Sequence, residues 1–279
     1  MSYSAEISRT NPTCFLFLVD QSGSMAKPFG GEAGKIKAQG VADAINRLLQ
    51  NLVLKCAKSD GIRDYFYVGV IGYGARVGPA FGGGLADRGL VPVSDIANTP
   101  LRVEQRTRKV DDGAGGLVEQ KFKFPVWFEP TADGKTPMCK AFNLAGQAVL
   151  QFIKRFPSCY PPMVLNITDG MATDGNPEPA AGGVRSLASQ DGEVLLFNAH
   201  LSSRPEKPIE FAAKDQGLPD DFARLLFRMS SVLPPPLQAA ARQEGFQAGP
   251  QTRGFVFNAD LVSVIRFMDI GTKAATAVR

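Results

Sequence analysis

Three oxygen-bearing side chains occupy alternate positions directly after an apolar run. Residues 15–25 read FLFLVDQSGSM, and the three side chains belong to Asp20, Ser22 and Ser24. Successive side chains of an extended segment alternate in direction, so we expect all three to face the same way. Hard cations such as Mg²⁺ take oxygen ligands and need only one or two carboxylates. The stretch therefore predicts part of a cation site, with its other oxygen ligands supplied elsewhere in the chain.

Two later loops contain suitable oxygen atoms. The sequence LNITDG places Asp169 at the end of a second apolar run, and DGKTPMCKAF places Thr136 directly before Pro137. We interpret Thr136 as the N-cap of a helix and Pro137 as its first residue. Proline also favours an extended backbone at the residue before it, which limits where the Thr136 hydroxyl can point. The alternative is that Asp, Ser and Gly are here simply turn formers, but three such loops together favour a metal site.

The elements that must position these loops alternate between strands and helices. Apolar runs predict strands at 14–19, 65–74, 161–170, 193–201 and 254–259. Apolar residues at three- and four-residue steps predict helices at 36–57, 138–156, 220–232 and 236–244, with a further helix near the end. This alternation indicates an α/β, Rossmann-like, doubly wound fold with a mostly parallel sheet flanked by helices. Binding sites of such folds lie at the carboxyl ends of the strands.

One segment, 76–130, departs from this alternation. Two strand-like stretches, LRVEQRTRKV and LVEQKFKFPVWF, flank the glycine-rich DDGAGG, which predicts a β-hairpin. The second arm has one aromatic face that should rest on another element, whereas the first arm is mostly polar and reads as an edge strand. We interpret the segment as an insertion in a single domain over 1–279 whose core spans about 13–272.

Charge and cysteine content exclude several functional classes. The chain has 31 basic and 27 acidic residues, a net charge of +4, and no long basic block, so nucleic-acid binding is not predicted. The four cysteines are widely spaced and His200 is the single histidine, which argues against a zinc site and for reduced thiols.

Targeting signals are not apparent in the sequence. The N-terminal stretch has no basic region followed by an apolar one, and no apolar run approaches the length that crosses a membrane. We therefore predict a cytoplasmic protein without a membrane partner.

The motifs DQSGSM, KTPM and ITDG, in this order, resemble the von Willebrand factor A domain. The metal-ion-dependent adhesion site of that family is a D-x-S-x-S loop completed by a threonine and an aspartate from two later loops. The resemblance assigns Asp20, Ser22, Ser24, Thr136 and Asp169 as metal ligands. It implies Mg²⁺, or Mn²⁺ or Ca²⁺, as the cofactor. It also implies a non-catalytic interaction module whose protein partner supplies Asp or Glu to the metal.

A finer resemblance concerns the sequence TDGMATDG. It is similar to intracellular bacterial members of the family, including those encoded with tellurite-resistance genes. This implies a scaffold in a stress or signalling system, with a kinase, phosphatase or ATPase as partner. The long segment 76–130 departs from the usual pattern, which in many members is a short hairpin.

Two other functions remain open at this point. One is a Mg²⁺-dependent phosphoryl hydrolase with Asp20 as nucleophile, although the sequence indicates no D-x-D motif, no positioned lysine and no histidine base near the loop. The other is a structural subunit that docks without metal through the hairpin at 101–128. Two further residues receive structural roles: Asp174 is interpreted as a loop or helix-capping aspartate and His200 as a structural histidine.

Overall fold

The computed structural model describes residues 3–29, 34–111, 116–201 and 207–271. The predicted hairpin turn lies largely outside the described residues, because 112–115 are not included. The predicted end of the core at 272 also lies outside them. Within the described parts of the chain, no helix combines the length and the apolar content that a bilayer-spanning segment needs.

Strands occupy most of the predicted apolar runs. They are β1 Thr13–Asp20, β2 Ala57–Lys58, β3 Gly61–Ile62, β4 Phe66–Tyr73, β5 Val77–Pro79, β6 Val91–Pro92, β7 Arg102–Asp111, β8 Leu117–Val126, β9 Met163–Thr168, β10 Ala188–Ser189, β11 Gly192–Glu193, β12 Leu195–Leu201, β13 Ile209–Glu210 and β14 Phe255–Ala259. The long strands β1, β4, β9 and β12 are buried along almost their whole length, as unbroken apolar runs predict.

Helices connect the long strands. They are α1 Lys37–Cys56, α2 Val93–Asn98, α3 Met138–Arg155, α4 Glu178–Arg185, α5 Asp221–Met229, α6 Pro235–Gln243 and α7 Leu261–Gly271. The short helices α2 and α4 have no counterpart in the sequence prediction. Each has too few residues to establish a periodic apolar pattern.

The central sheet has eight strands, and its core is parallel. The order is β13-β14-β12-β9-β1-β4-β5, with β6 also pairing with β4. The pairs β1–β4, β1–β9, β9–β12 and β12–β14 are parallel, whereas β13, β5 and β6 pair antiparallel at the two margins. The predicted α/β class with a mostly parallel sheet is confirmed.

Each face of the sheet carries its own apolar core, because side chains alternate along every strand. Phe15, Phe17 and Val19 of β1 pack with α1, α6 and α7 on one face. Leu16 and Leu18 pack with α3, α4 and α5 on the other. The strand that ends at the candidate site is therefore fixed from both sides, and that burial holds its last residue in place.

The hairpin of β7 and β8 forms a separate two-stranded sheet whose base rests on α1. Arg106 of β7 pairs with Asp43 of α1 at 2.8 Å and stacks its guanidinium 3.7 Å from the ring centroid of Phe124. The predicted aromatic face is thus partly covered, since Phe124 is buried. The outer end is not covered, and Leu117 and Val118 there are exposed.

A buried asparagine on α1 ties down the end of the hairpin. Asn46 Oδ1 accepts hydrogen bonds from the backbone N–H groups of Trp127 and Phe128, at 2.8 and 3.1 Å. Its amide nitrogen donates to the carbonyl of Phe128 at 2.8 Å. One side chain therefore satisfies three backbone groups that would otherwise be buried without partners.

We predict that Asn46→Leu lowers the free energy of unfolding by about 2–4 kcal/mol, because three buried backbone groups lose their partner. Denaturant unfolding followed by fluorescence of Trp127, the single tryptophan, measures this directly. Asn51→Leu, an exposed position of the same helix, is the matched control and should change stability by less than about 0.5 kcal/mol. Equal stabilities of the two variants would contradict the clamp role of Asn46.

Candidate metal centre

Two neighbouring parallel strands deliver the carboxylates of the site. Strand β1 ends at Asp20, strand β9 ends at Thr168, and the register pairs Val19 with Ile167. Asp169 follows β9 directly, so Asp20 and Asp169 emerge at the same carboxyl edge of the sheet. This is the edge at which ligands of open α/β sheets bind.

Hydrogen bonds link four of the five predicted ligands. Ser24 Oγ donates to Asp169 Oδ1 at 2.5 Å, and the hydroxyls of Ser22 and Ser24 lie 2.9 Å apart. The backbone N–H of Ser22 donates to Asp20 Oδ1 at 2.8 Å. Thr168 Oγ1 donates to Asp20 Oδ2 at 2.8 Å. Both oxygens of Asp20 are therefore engaged, and the structure brings Asp20, Ser22, Ser24 and Asp169 into one cluster.

The loop after β1 is not extended throughout, contrary to the sequence prediction. Ser22 is extended, but residues Gly23–Ala26 form a 3₁₀ turn that closes with the N–H of Met25 on the carbonyl of Ser22 at 3.0 Å. The two serine hydroxyls meet because this turn returns Ser24 towards Ser22, and not because side chains alternate along a strand. The predicted proximity is correct and its predicted cause is wrong.

Thr136 lies on the loop before α3, and backbone hydrogen bonds attach this loop to the loops that follow β1 and β9. The N–H of Gly23 donates to the carbonyl of Gly134 at 3.1 Å, and the N–H of Asp133 donates to the carbonyl of Gln21 at 2.6 Å. Gly134 has a φ of +83°, and a Cβ there would lie 2.4 Å from the backbone nitrogen of Ala75, so only glycine fits this crossing.

Helix α3 begins one residue later than predicted, which changes the role of Thr136. Helix α3 begins at Met138, because Pro137 has a ψ of 64° that is not helical, so Thr136 is not the N-cap. Its carbonyl accepts from the N–H of Thr173 at 2.9 Å, which joins it to the loop after β9. Thr136 is 6% exposed as a residue, and no hydrogen bond to its hydroxyl is found among the described residues. The hydroxyl oxygen is thus a candidate ligand.

Asp174, interpreted from the sequence as a capping residue, does cap α3. Its two carboxylate oxygens accept from the backbone N–H groups of Cys139 and Lys140, both at 3.0 Å. Burial alone would raise the pKa of Asp174, but these hydrogen bonds lower it below the ordinary value. The interaction also holds the loop after β9 against the start of α3, and hence near Thr136.

A lysine that the sequence reading missed completes the cluster. Lys37, the first residue of α1, places its Nζ 2.9 Å from Asp169 Oδ2, and the two side chains are only 4% and 1% exposed. No local pattern indicates this contact, because a lysine in the first turn of an amphipathic helix usually faces solvent. The pKa of Asp20 is raised above its ordinary value because burial raises it by more than the hydrogen bonds from Ser22 and Thr168 lower it.

His200 fits the structural role that the sequence suggested. Its ring stacks on Phe257 at 4.2 Å between centroids, and its Nδ1 accepts from the backbone N–H of Asn258 at 3.3 Å. Burial and, to a smaller extent, the positive charge of Lys37 together lower the pKa of His200 to about 4. The imidazole is thus neutral at pH 7.

A buried polar chain runs across the sheet beneath the site. The Tyr73 hydroxyl donates to Asn166 Oδ1 at 2.6 Å, and Asn166 donates to Asn198 Oδ1 at 2.9 Å. Asn198 in turn donates to the Ser230 hydroxyl at 3.0 Å. The chain joins β4, β9, β12 and the end of α5, which fixes the strand ends relative to one another.

The donor set fits a hard cation. It consists of two carboxylates and three hydroxyls, all oxygen, which is the ligand type that Mg²⁺ and Ca²⁺ prefer. In the described parts of the chain no group of three or more His, Cys, Asp or Glu side chains is placed to hold a metal. The four cysteines are all free.

Several solved structures of pilus proteins are similar to this chain. The von Willebrand factor domain of the type V pilus tip protein of Porphyromonas gingivalis matches 58% of this chain and 39% of its own, at 12% identity and a TM-score of 0.30. An adhesive tip pilin of Group B Streptococcus agalactiae matches 58% and 46%, at 12% identity and 0.27. A pilus adhesin of Streptococcus pneumoniae matches 60% and 21%, at 13% identity and 0.29.

These matches span less than half of each pilus protein. TM-scores this low carry no weight in assigning a function, so the α/β class rests on the strand order of the chain itself. No protein-family model matches the chain, and no curated protein matches it.

We predict that Asp174→Ala lowers the free energy of unfolding by about 1 kcal/mol at pH 7, the usual cost of losing a helix cap. The folded-state pKa is depressed, so this stabilisation is present above the unfolded pKa of about 3.9 and is lost as the pH falls through the folded value. Denaturant titrations at pH 7, 5 and 3 measure the difference from wild type. Glu119→Ala, an exposed carboxylate on β8, is the control. A difference that stays constant into acid would contradict the cap.

Proposed function

We propose that this protein is a von Willebrand factor A-type interaction module that binds a partner through a divalent cation at a metal-ion-dependent adhesion site. Mg²⁺ is the proposed cation, with Mn²⁺ or Ca²⁺ as substitutes, and its ligands are Asp20, Ser22, Ser24, Thr136 and Asp169. The observation that carries the proposal is the hydrogen-bonded cluster of Asp20, Ser22, Ser24 and Asp169 at the carboxyl edge of the sheet. The cluster joins two of the three motif loops, and backbone hydrogen bonds attach the third, which carries Thr136.

The proposed roles of the residues follow from their contacts. Asp20 is held by Ser22 and Thr168 with both oxygens in fixed directions, so it presents a rigid anionic anchor. Ser22 and Ser24 supply neutral oxygens, and Thr136 supplies a third hydroxyl from the facing loop, which backbone hydrogen bonds join to the loop after β1. When bound, the cation would supply positive charge and an open coordination position for an acidic side chain of a partner.

The same contacts count against the hydrolase alternative. A nucleophilic carboxylate needs an oxygen free to attack, whereas Asp20 is 0% exposed and both of its oxygens accept hydrogen bonds. His200 is neutral at pH 7 but is tied to Asn258 and Phe257, not to Asp20. The arrangement supports binding without catalysis.

The hairpin alternative, a metal-independent docking through 101–128, is weaker for a different reason. Val126, Trp127 and Phe128 are buried in the molecule's own core. Only the outer part of the hairpin exposes apolar side chains, such as Leu117. The hairpin base supports α1, which supplies Lys37 to the site.

The nature of the partner belongs to this proposal as well. An acidic side chain, Asp or Glu, would complete the coordination of the cation. By the motif resemblance the partner would be a bacterial kinase, phosphatase or ATPase encoded nearby, met in the cytoplasm within a stress or signalling system of the tellurite-resistance type. Neither a nucleic acid nor a membrane is proposed as a partner.

We predict that Asp20→Ala abolishes Mg²⁺ binding measured by isothermal titration calorimetry, because the anionic anchor is lost. Asp133→Ala is the matched control, since Asp133 is an exposed aspartate of the Thr136 loop that contributes only backbone hydrogen bonds. It should bind Mg²⁺ like the wild type. Unchanged binding in Asp20→Ala would contradict the assigned ligands.

The partner chemistry is tested with immobilised peptide pairs that differ only by Glu or Gln at the central position. The wild type should be retained by Glu peptides in Mg²⁺ and released by EDTA, and Gln peptides should not retain it. Retention of Gln peptides, or retention in EDTA, would rule out a metal-bridged carboxylate.

A further inference from the structure

Lys37 forms a buried ion pair with Asp169 at a position where burying a lysine is energetically unfavourable. The side chain of Lys37 is 4% exposed, and α1 begins at this residue, where the positive end of the helix dipole disfavours a cation. A buried salt bridge generally stabilises a fold no more than an apolar pair of the same size. Fold stability alone therefore does not explain a lysine here.

Asp169 is the hydrogen-bond partner of the Lys37 ammonium among the described residues. Among the described residues Lys37 Nζ makes one hydrogen bond, to Asp169 Oδ2, although an ammonium has three donors. The other oxygen of Asp169 accepts from Ser24. The lysine thus touches the same carboxylate that the proposed function gives to the metal.

We propose that Lys37 is a resident cation that neutralises Asp169 when no metal is bound, and that it makes loading of the divalent cation depend on a carboxylate ligand. This inference rests on the proposed function, because it concerns the same site.

The dependence follows from the formal charges. Asp20, Asp169 and Lys37 together carry −1, so a divalent cation alone brings the buried site to +1. An uncompensated charge in such a site is unfavourable. A carboxylate from a partner returns the sum to zero. Without Lys37 the two aspartates already balance a divalent cation, and an added carboxylate would leave −1.

Lys35 provides an internal comparison two residues earlier. It pairs with Asp43 at 2.9 Å, but its side chain is 29% exposed and it lies outside the cluster. Its charge is therefore screened by water and should not influence cation binding at the site. Lys35→Gln is the matched control for Lys37→Gln.

The experiment is calorimetric titration of Mg²⁺ into the full chain, in chloride and in acetate at equal ionic strength, with acetate as the carboxylate probe. Lys37→Gln keeps a donor for Asp169 and removes the charge, so it should bind Mg²⁺ alone about tenfold or more tightly than wild type. Acetate should tighten Mg²⁺ binding to wild type, to Lys35→Gln and to Lys37→Arg, and should not tighten it to Lys37→Gln. Circular dichroism in EDTA checks that each variant is folded.

The outcomes separate this inference from the proposed function. Equal Mg²⁺ affinities of wild type and Lys37→Gln, or the same acetate effect in both, would overturn the role of Lys37 and leave the metal site standing. Absence of Mg²⁺ binding in both would overturn both proposals. Binding in Lys37→Gln alone would support the lysine as a resident cation and overturn a Mg²⁺-dependent function of the wild type.

Discussion

Two carboxylates brought close together at the end of a buried sheet are the constraint on which the site depends. Asp20 and Asp169 follow neighbouring parallel strands, and both are almost fully buried. Like charges in such a place repel, and each loses hydration. Hydrogen bonds from Ser22, Ser24 and Thr168 and the ammonium group of Lys37 stabilise the two carboxylates. We propose that a bound cation would reduce the repulsion between them further.

The rest of the fold restrains these groups. Each face of the sheet packs against its own set of helices, and the polar chain from Tyr73 to Ser230 fixes the strands beneath the site. Backbone hydrogen bonds join the loops after β1, before α3 and after β9. A site held in this way needs little rearrangement to accept a ligand, which is what preorganised binding requires. The hairpin contributes indirectly, through its contacts with α1.

Much of this architecture could be predicted from the sequence because its signals are local. Unbroken apolar runs predicted the long strands, and three-residue spacings predicted the long helices. The position of Asp20 and Asp169 at one edge of the sheet was predictable because each follows the end of a strand, whereas their role as metal ligands stays a prediction. Contacts that depend on distant pairing were not predictable: Lys37 reads as a surface residue until α1 is placed against Asp169, and Asn46 reads as solvent-exposed until the hairpin is laid on it. The margin strands β5 and β6 and the helices α2 and α4 were missed because they are short. The one-residue shift at the start of α3 arises from the backbone of Pro137, which the motif does not encode.

We propose that oxygens of three loops surround one divalent cation. Anomalous diffraction from crystals grown with Mn²⁺ would locate it. We expect a single strong peak at about 2.0–2.6 Å from the hydroxyls of Ser22 and Ser24, with Asp20, Thr136 and Asp169 bound directly or through water. A structure with no peak at this edge of the sheet would contradict it.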